Sequence, residues 1–393
     1  MTTNKPKHIG PHVFPNFPVF GRLLGYASRD TSIVINDITN NCAATHIQLL
    51  TDVLHVRNLL YDSLEENVKE QLWRGEEVYV NLLTPAGYEF AVGFFAILAI
   101  GAIIVPLCEL KRTYRNGNRR LIYLPAPTLP VREVTYYVRT SHAIAVLSDS
   151  RCAKLGTELS KEVSSTFNPA FFDIRIGPLI KRPPLQPKDI HISADWFLDY
   201  NGGGIVIFTS GTTGPPKGAM RRRSFLDAHA QKLADLYRLE AGDIVMHYLP
   251  VHHVTGIGTT FMPFVISGAC VEFRSGGFDP AAVWERWRER EVTLFSGVPT
   301  MYMRLMRHYE THLAQLPERE RQEYIDGPLN FKALMCGSAA FPRPLKHKWS
   351  KLLNGKRVLE RYGTTEFSTA FAIHPSDLNC PDVRNVVTCL TSH

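Results

Sequence analysis

The 393 residues are 45% hydrophobic and 21% charged, enough apolar content for a large buried core and too few charges for a charge-dominated, disordered chain. The net charge is +7, but Lys111, Arg112, Arg115, Arg119 and Arg120, in one stretch whose interior lacks an acid, supply five of those seven charges. No RNA- or DNA-binding signature accompanies them, which excludes nucleic acid as the partner. The seven cysteines are scattered, odd in number and never spaced as CxxC. That argues against a disulfide framework and a structural zinc site, and fits an intracellular, reducing compartment. The N-terminus MTTNKPKHIGPHVFPNF has no apolar run and reads as no secretory signal. It lacks acids but also any Arg-rich amphipathic pattern, so cytoplasm and mitochondrion both stay open.

In chain order, the first clear element is a strand at 78–82. Phe90 to Leu107 (FAVGFFAILAIGAIIVPL) then holds 18 uncharged residues, the lower edge for a membrane span. Gly93, Gly101 and Pro106 interrupt it, and its texture changes at Gly101 from Phe- and Leu-rich to β-branched. The expectation is a buried helix followed by a strand at 102–105, a β-α-β unit and no transmembrane segment. Next comes KRTYRNGNRRLIYLPAP, basic and without helical or strand period, the centre of an atypical insert at 109–128. From residue 200 onward strands and helices alternate. A strand at 205–208 ends in a glycine loop. Ser224 is expected to open a helix with Asp227 as capping-box partner and Leu226, Ala230, Leu233 and Tyr237 on its apolar face. Asp279–Pro280 reads as an N-cap and first-turn proline, with Val283, Trp284 and Trp287 buried behind them. Strands at 292–295, 333–336 and 358–359 follow, with a Met-rich helix at 301–309 between the first two. The pattern predicts an α/β fold with mostly parallel sheets flanked by helices.

Three strands are followed by polar, glycine-bearing stretches: TSGTTGPPKG from Thr209, GSAA after Cys336 and RYGTTE after Leu359. Open α/β sheets bind ligands beyond the carboxyl ends of their strands, so the three point to one shared site; taken singly, each also reads as an ordinary turn. In the first, Gly211, Gly214 and Gly218 let backbone N–H groups approach an anion, Thr209, Ser210, Thr212 and Thr213 add hydroxyl donors, and Lys217 adds a charge. It is not a Walker loop, because Pro216 precedes the lysine and Gly218 follows it.

TSGTTGPPKG closely resembles the phosphate-loop signature of the adenylate-forming enzymes, a group that includes acyl-CoA synthetases, firefly-type luciferases and peptide-synthetase adenylation domains. LPVHHVTG at 249–256 resembles their acyl-pocket segment, CGSAA at 336–340 their adenine-binding strand end, and YGTTE at 362–366 their signature turn. The resemblance runs from about residue 30 to 375. It implies two α/β sub-domains of the family's large N-terminal domain (30–375), preceded by a lead at 1–29 and followed by a divergent tail at 376–393. It also implies ATP, Mg²⁺ and coenzyme A as cofactors. A small-molecule carboxylate would attack the α-phosphorus of ATP, and coenzyme A would then displace AMP. Under this resemblance Thr209, Lys217, Thr365 and Glu366 are catalytic, with Glu366 also holding Mg²⁺. Ser210, Gly211, Thr212, Thr213, Gly214, Gly337, Ser338, Ala339, Tyr362, Gly363 and Thr364 bind the nucleotide, Tyr362 by stacking on adenine.

Arg361 stands directly before Tyr362, beside the acyl pocket. LERYGTTE with GVPTMYMRLM resembles the malonyl-CoA synthetases, where the equivalent arginine recognises the second carboxylate. The plain alternative pairs Arg361 with Glu360 or solvent. Thr255 stands where that group tends to carry a second His, which widens the expected acid to methylmalonate or another short diacid. His253 is either a pocket wall or a substrate contact, and Arg221–Arg223 either a solvated face or a holder of coenzyme A phosphates. The insert reads as a surface loop or a translated intron. After HPSDLNCPDV the family's ribose-binding aspartate, hinge and lysine-bearing C-terminal domain have no counterpart, so the chain as written is expected not to turn over. Other acyl-CoA synthetases of fatty or aryl acids, and a non-catalytic nucleotide-binding pseudoenzyme, remain alternatives.

Overall fold

A computed structural model describes residues 10–107, 111–115, 118–122, 130–209, 215–373 and 388–389. The chain divides into two compact units: Met1–Ala228 with Pro250–His253 and Phe273–Gly277, and His229–Leu249 with Val254–Glu272 and Phe278–His393.

The first unit is built on a six-stranded sheet in the order Lys217–Arg222, Gly203–Thr209, Ile103–Leu107, Tyr79–Leu83, Ala145–Ser148, Phe172–Arg175. All neighbours run parallel except the first pair, which is antiparallel. The uncharged stretch forms the expected β-α-β unit. The helix Tyr88–Ala99 is buried along nearly its whole length, and Ile103–Leu107 lies beside Tyr79–Leu83. Its uniformly apolar surface has protein on all sides, which is why no polar stripe interrupts it. Among the described residues no helix is long and apolar enough to cross a membrane. The lead also folds from Val13 onward: Val13–Asn16 pairs with His191–Phe197, and Phe14, Phe17 and Phe20 are buried.

Two expectations in this unit are corrected. The insert carries a two-stranded antiparallel ladder, Lys111–Arg115 against Asn118–Ile122. Its register leaves only Asn116 and Gly117 between the strands, and Asn-Gly is the strongest two-residue hairpin signal. Asp227 does not cap a helix either. It is buried, and its carboxylate accepts from the Arg22 guanidinium and the Tyr200 hydroxyl. The backbone there runs as a π-helix from Phe225 before α-helix resumes at Ala230.

In the second unit, Ile244–His247, Leu294–Gly297, Ala333–Cys336 and Leu359–Thr364 lie side by side in parallel. The edge is completed in antiparallel sense by Ser368–Ala372 and Thr388–Cys389. An aromatic core clamps the helices onto the sheet: Trp284 stacks on Trp349 at 5.9 Å, and both are fully buried. Their indole N–H groups and the Tyr302 hydroxyl all find carbonyls, of Leu305, Tyr302 and Met335 respectively. Buried aromatics with satisfied polar handles fix orientation as well as burying area. The Asp279 N-cap forms as expected, its carboxylate accepting from Ala281 N at 2.9 Å.

Candidate active site

In the second unit the carboxyl ends of three parallel strands gather the CGSAA and RYGTTE stretches. Gly337 lies against the Arg361 backbone, 3.5 Å from its carbonyl oxygen when a Cβ is placed on the glycine. Ser338 sits in the left-handed region at φ 66°, a conformation non-glycine residues adopt rarely and which is found disproportionately at functional sites.

The expected signature turn is instead a strand followed by a tight turn. Leu359–Thr364 runs on through Arg361, Tyr362 and Gly363, turns at residues 365–367 and returns as Ser368–Ala372. Thr365 is half-buried and Glu366 exposed at that turn. The strand is longer than the apolar pair at 358–359 suggested because its continuation is paired by the hairpin. Gly363 permits this, since a Cβ there would meet the Ser368 carbonyl oxygen at 2.0 Å. The return is anchored by Ser368 Oγ, 2.9 Å from His229 Nε2. Tyr362 is 60% exposed and stacks on Phe371 at 6.1 Å, leaving much of its ring open to a planar ligand. The Thr364 hydroxyl is buried without a hydrogen-bond partner.

Arg361 is the most informative side chain. It is not paired with Glu360. Successive strand residues face opposite sides, and Glu360 accepts from Lys346 Nζ and from Phe341 N at 3.3 Å. Glu360 and Lys346 line a cavity of about 610 Å³ with Lys351, Arg357 and Ile373, and Arg361 is not among its walls. Instead, Arg361 Nη2 donates to Ser296 Oγ at 2.6 Å, while Nε and Nη1 are buried with no hydrogen-bond partner. Beside the guanidinium lies the buried Tyr237 hydroxyl, which interacts with it but makes no well-aligned hydrogen bond. Burial raises the Tyr237 pKa, and the arginine charge offsets part of that rise. The Cys336 thiol is pushed up to about 12 by burial, again partly opposed by Arg361, so it is no nucleophile at neutral pH.

The phosphate stretch and His253 belong to the first unit. Ser210, Gly211, Thr212, Thr213 and Gly214 lie outside the described residues. The two ends of their loop are pinned in register: Thr209 pairs with Lys217, and Thr209 Oγ1 donates to the Lys217 carbonyl at 3.3 Å. Tyr136 donates to the Pro216 carbonyl at 2.8 Å. Lys217 opens the returning strand with its side chain exposed. His253 is half-buried, and burial lowers its pKa, so it is a neutral imidazole at pH 7. Arg223 is neither a solvated face nor a phosphate holder: it is buried and donates to the carbonyls of Gly101 and Asp199. Ser296 and Tyr237 were not singled out as site residues by the sequence reading. Ser296 closes a buried strand within SGVPT, and Tyr237 looks like the last core position of an amphipathic helix. The available signal was a hydroxyl at the end of each apolar run.

Each unit thus carries polar, glycine-bearing strand ends on a mostly parallel sheet, the layout of a ligand-binding α/β protein. The chain belongs to the AMP-binding enzyme family, whose profile it matches over residues 72–389. It is 33% identical over 186 residues to the malonate–CoA ligase of Arabidopsis thaliana, covering 45% of this chain and 29% of that one. It is 28% identical over 249 residues to the mitochondrial malonate–CoA ligase of Homo sapiens, covering 62% and 41%. The chain therefore spans less than half the length of either relative. A malonyl-CoA ligase solved as a ternary product complex with methylmalonyl-CoA and AMP shares the fold, with a TM-score of 0.62 at 22% identity, covering 90% of this chain and 63% of that one.

Proposed function

We propose that this protein serves as an ATP-dependent acid–thiol ligase for a short dicarboxylate, malonate or methylmalonate, activating it as the acyl-adenylate and passing it to coenzyme A. The observation that carries the dicarboxylate reading is Arg361, with two buried, unpartnered donor groups on a permanently charged guanidinium and its sequence neighbour Glu360 engaged elsewhere. An unpaired buried charge costs several kcal/mol, and a ligand carboxylate offsets that cost. An acid with an uncharged tail does not. The malonate–CoA ligases among the relatives, and the methylmalonyl-CoA and AMP in the solved complex, support the same chemistry.

In this reading the chain's own residues bind and orient, and none forms a covalent bond to substrate. Tyr362 offers its open ring to adenine, Gly337 to Ala339 line the nucleotide edge, and the Thr209 and Thr365 hydroxyls donate to phosphate oxygens. Lys217 offsets the charge that grows on the phosphates as the carboxylate attacks. Such positioning and charge stabilisation is the greater part of what catalysis of phosphoryl and adenylyl transfer requires. The exposed Glu366 carboxylate at the hairpin tip is a hard oxygen donor of the kind Mg²⁺ prefers. When bound there, the ion would neutralise phosphate charge.

The test is a product assay with ATP, Mg²⁺, coenzyme A and one acid at a time, read by mass spectrometry. Any adenylate or thioester formed should be malonyl or methylmalonyl, and acetyl products should not form. Equal yields from acetate or a long-chain acid would reject the dicarboxylate assignment.

A further inference from the structure

We infer that Ser296 and Tyr237 position the Arg361 guanidinium and, with it, complete a three-group cradle selective for an acid bearing a second negative charge. This inference rests on the dicarboxylate reading above and adds two specificity-determining residues to it.

The topology creates the cradle. Leu294–Gly297 and Leu359–Thr364 flank Ala333–Cys336 on its two sides, all parallel. Ser296 and Arg361 therefore project from strands two positions apart, bridging over the Cys336 strand end. An arginine side chain has many rotamers, and an unrestrained guanidinium would present its donors in many planes. The 2.6 Å bond from Nη2 to Ser296 Oγ removes that freedom at one nitrogen and leaves Nε and Nη1 for a ligand.

Tyr237 enters from the helix Ala230–Tyr237, whose last residue it is. Its phenol, 4% exposed, interacts with the guanidinium but makes no well-aligned hydrogen bond. Guanidinium nitrogens carry donors only, so a neighbouring hydroxyl turns its oxygen toward them and its hydrogen away. That hydrogen is then available to an anion held by Nε or Nη1. Tyr302 and Cys336, both buried, feel the same guanidinium charge. Low polarity around a fixed cation strengthens its attraction for an anion and makes an uncharged occupant unfavourable.

The experiment compares wild type with Ser296→Ala, Ser296→Thr, Tyr237→Phe and Arg361→Ala, titrating malonate or acetate calorimetrically with ATP present. Ser296→Ala and Tyr237→Phe should each weaken malonate by about tenfold, the loss expected for a hydrogen bond involving a charged group. Acetate and ATP should be little changed, and Ser296→Thr should retain malonate. If both hydroxyl variants bind malonate like wild type while Arg361→Ala does not, this inference is overturned and the dicarboxylate reading stands. If ATP and acetate weaken in step with malonate, the hydroxyls are structural and the inference again fails. A wild type that does not bind malonate, or an Arg361→Ala variant that binds it normally, overturns both.

Discussion

Gly363→Ala probes the hairpin that presents the signature residues. A Cβ at this position would lie 2.0 Å from the Ser368 carbonyl oxygen, 2.7 Å from its carbon and 2.9 Å from Thr369 Cα. All three are backbone atoms, so no side chain can swing aside. Carbon needs roughly 3.5 Å from such neighbours, so the two strands must part by more than ~1 Å. Opening them sacrifices the Gly363–Thr369 and Thr364–Ser368 pairings and draws Ser368 away from His229. Overpacking of ~1–3 kcal/mol plus two hydrogen bonds of ~1 kcal/mol each give a total of about 3–5 kcal/mol. Urea unfolding of the purified variant measures this directly, and ATP-induced stabilisation measured in parallel should shrink as Tyr362 loses its place. A change below ~0.5 kcal/mol, the range of neutral surface substitutions, would refute the argument that the hairpin requires glycine.

Two further outcomes follow from burial. Arg223→Ala should destabilise the protein by about 2–3 kcal/mol, the value for charged-group hydrogen bonds, with coenzyme A affinity unchanged; loss of coenzyme A binding without loss of stability would return Arg223 to the phosphate role. Burial holds the His46 imidazole at about 4 rather than 6.5, with Asp30 opposing, and His247 and His252 are depressed in the same direction. The unfolded chain therefore takes up more protons than the folded one between those values, and stability, full above pH 6.5, is lost as pH falls toward 4. His46→Phe, which keeps a ring to stack on Tyr26, should lose less stability than wild type between pH 7 and 5, by about 1–2 kcal/mol. An equal loss of unfolding free energy between the two pH values in wild type and variant, measured by urea titration, would contradict this.

The sheet-forming segments were legible because fully buried strands and helices write their burial as apolar runs: Phe90 to Leu107 and Ala333–Cys336 appear where the sequence places them. The Asp279 cap was legible because its hydrogen bond is local. The readings that failed concerned partners distant in sequence. Asp227 looked like a capping residue three positions after Ser224, but Arg22 and Tyr200 claim its carboxylate. Arg223 looked like one of three solvated arginines, yet Gly101, more than a hundred residues earlier, accepts from it. The insert hairpin was missed for another reason: its Asn-Gly signal is local, but the flanking residues lack alternation. In the candidate site, motif order pointed to Arg361 and Tyr362, whereas Ser296 and Tyr237 emerge only once strand order brings them together.

The central claim, that Arg361 selects an acid with a second carboxylate, is tested most directly by malonate affinity in the presence of ATP, measured calorimetrically for wild type and Arg361→Ala. Removing the guanidinium should weaken malonate by about 3 kcal/mol, roughly a hundredfold, while leaving ATP binding and the weak binding of acetate unchanged. Malonate and acetate weakening together, or malonate binding undiminished, would contradict the account.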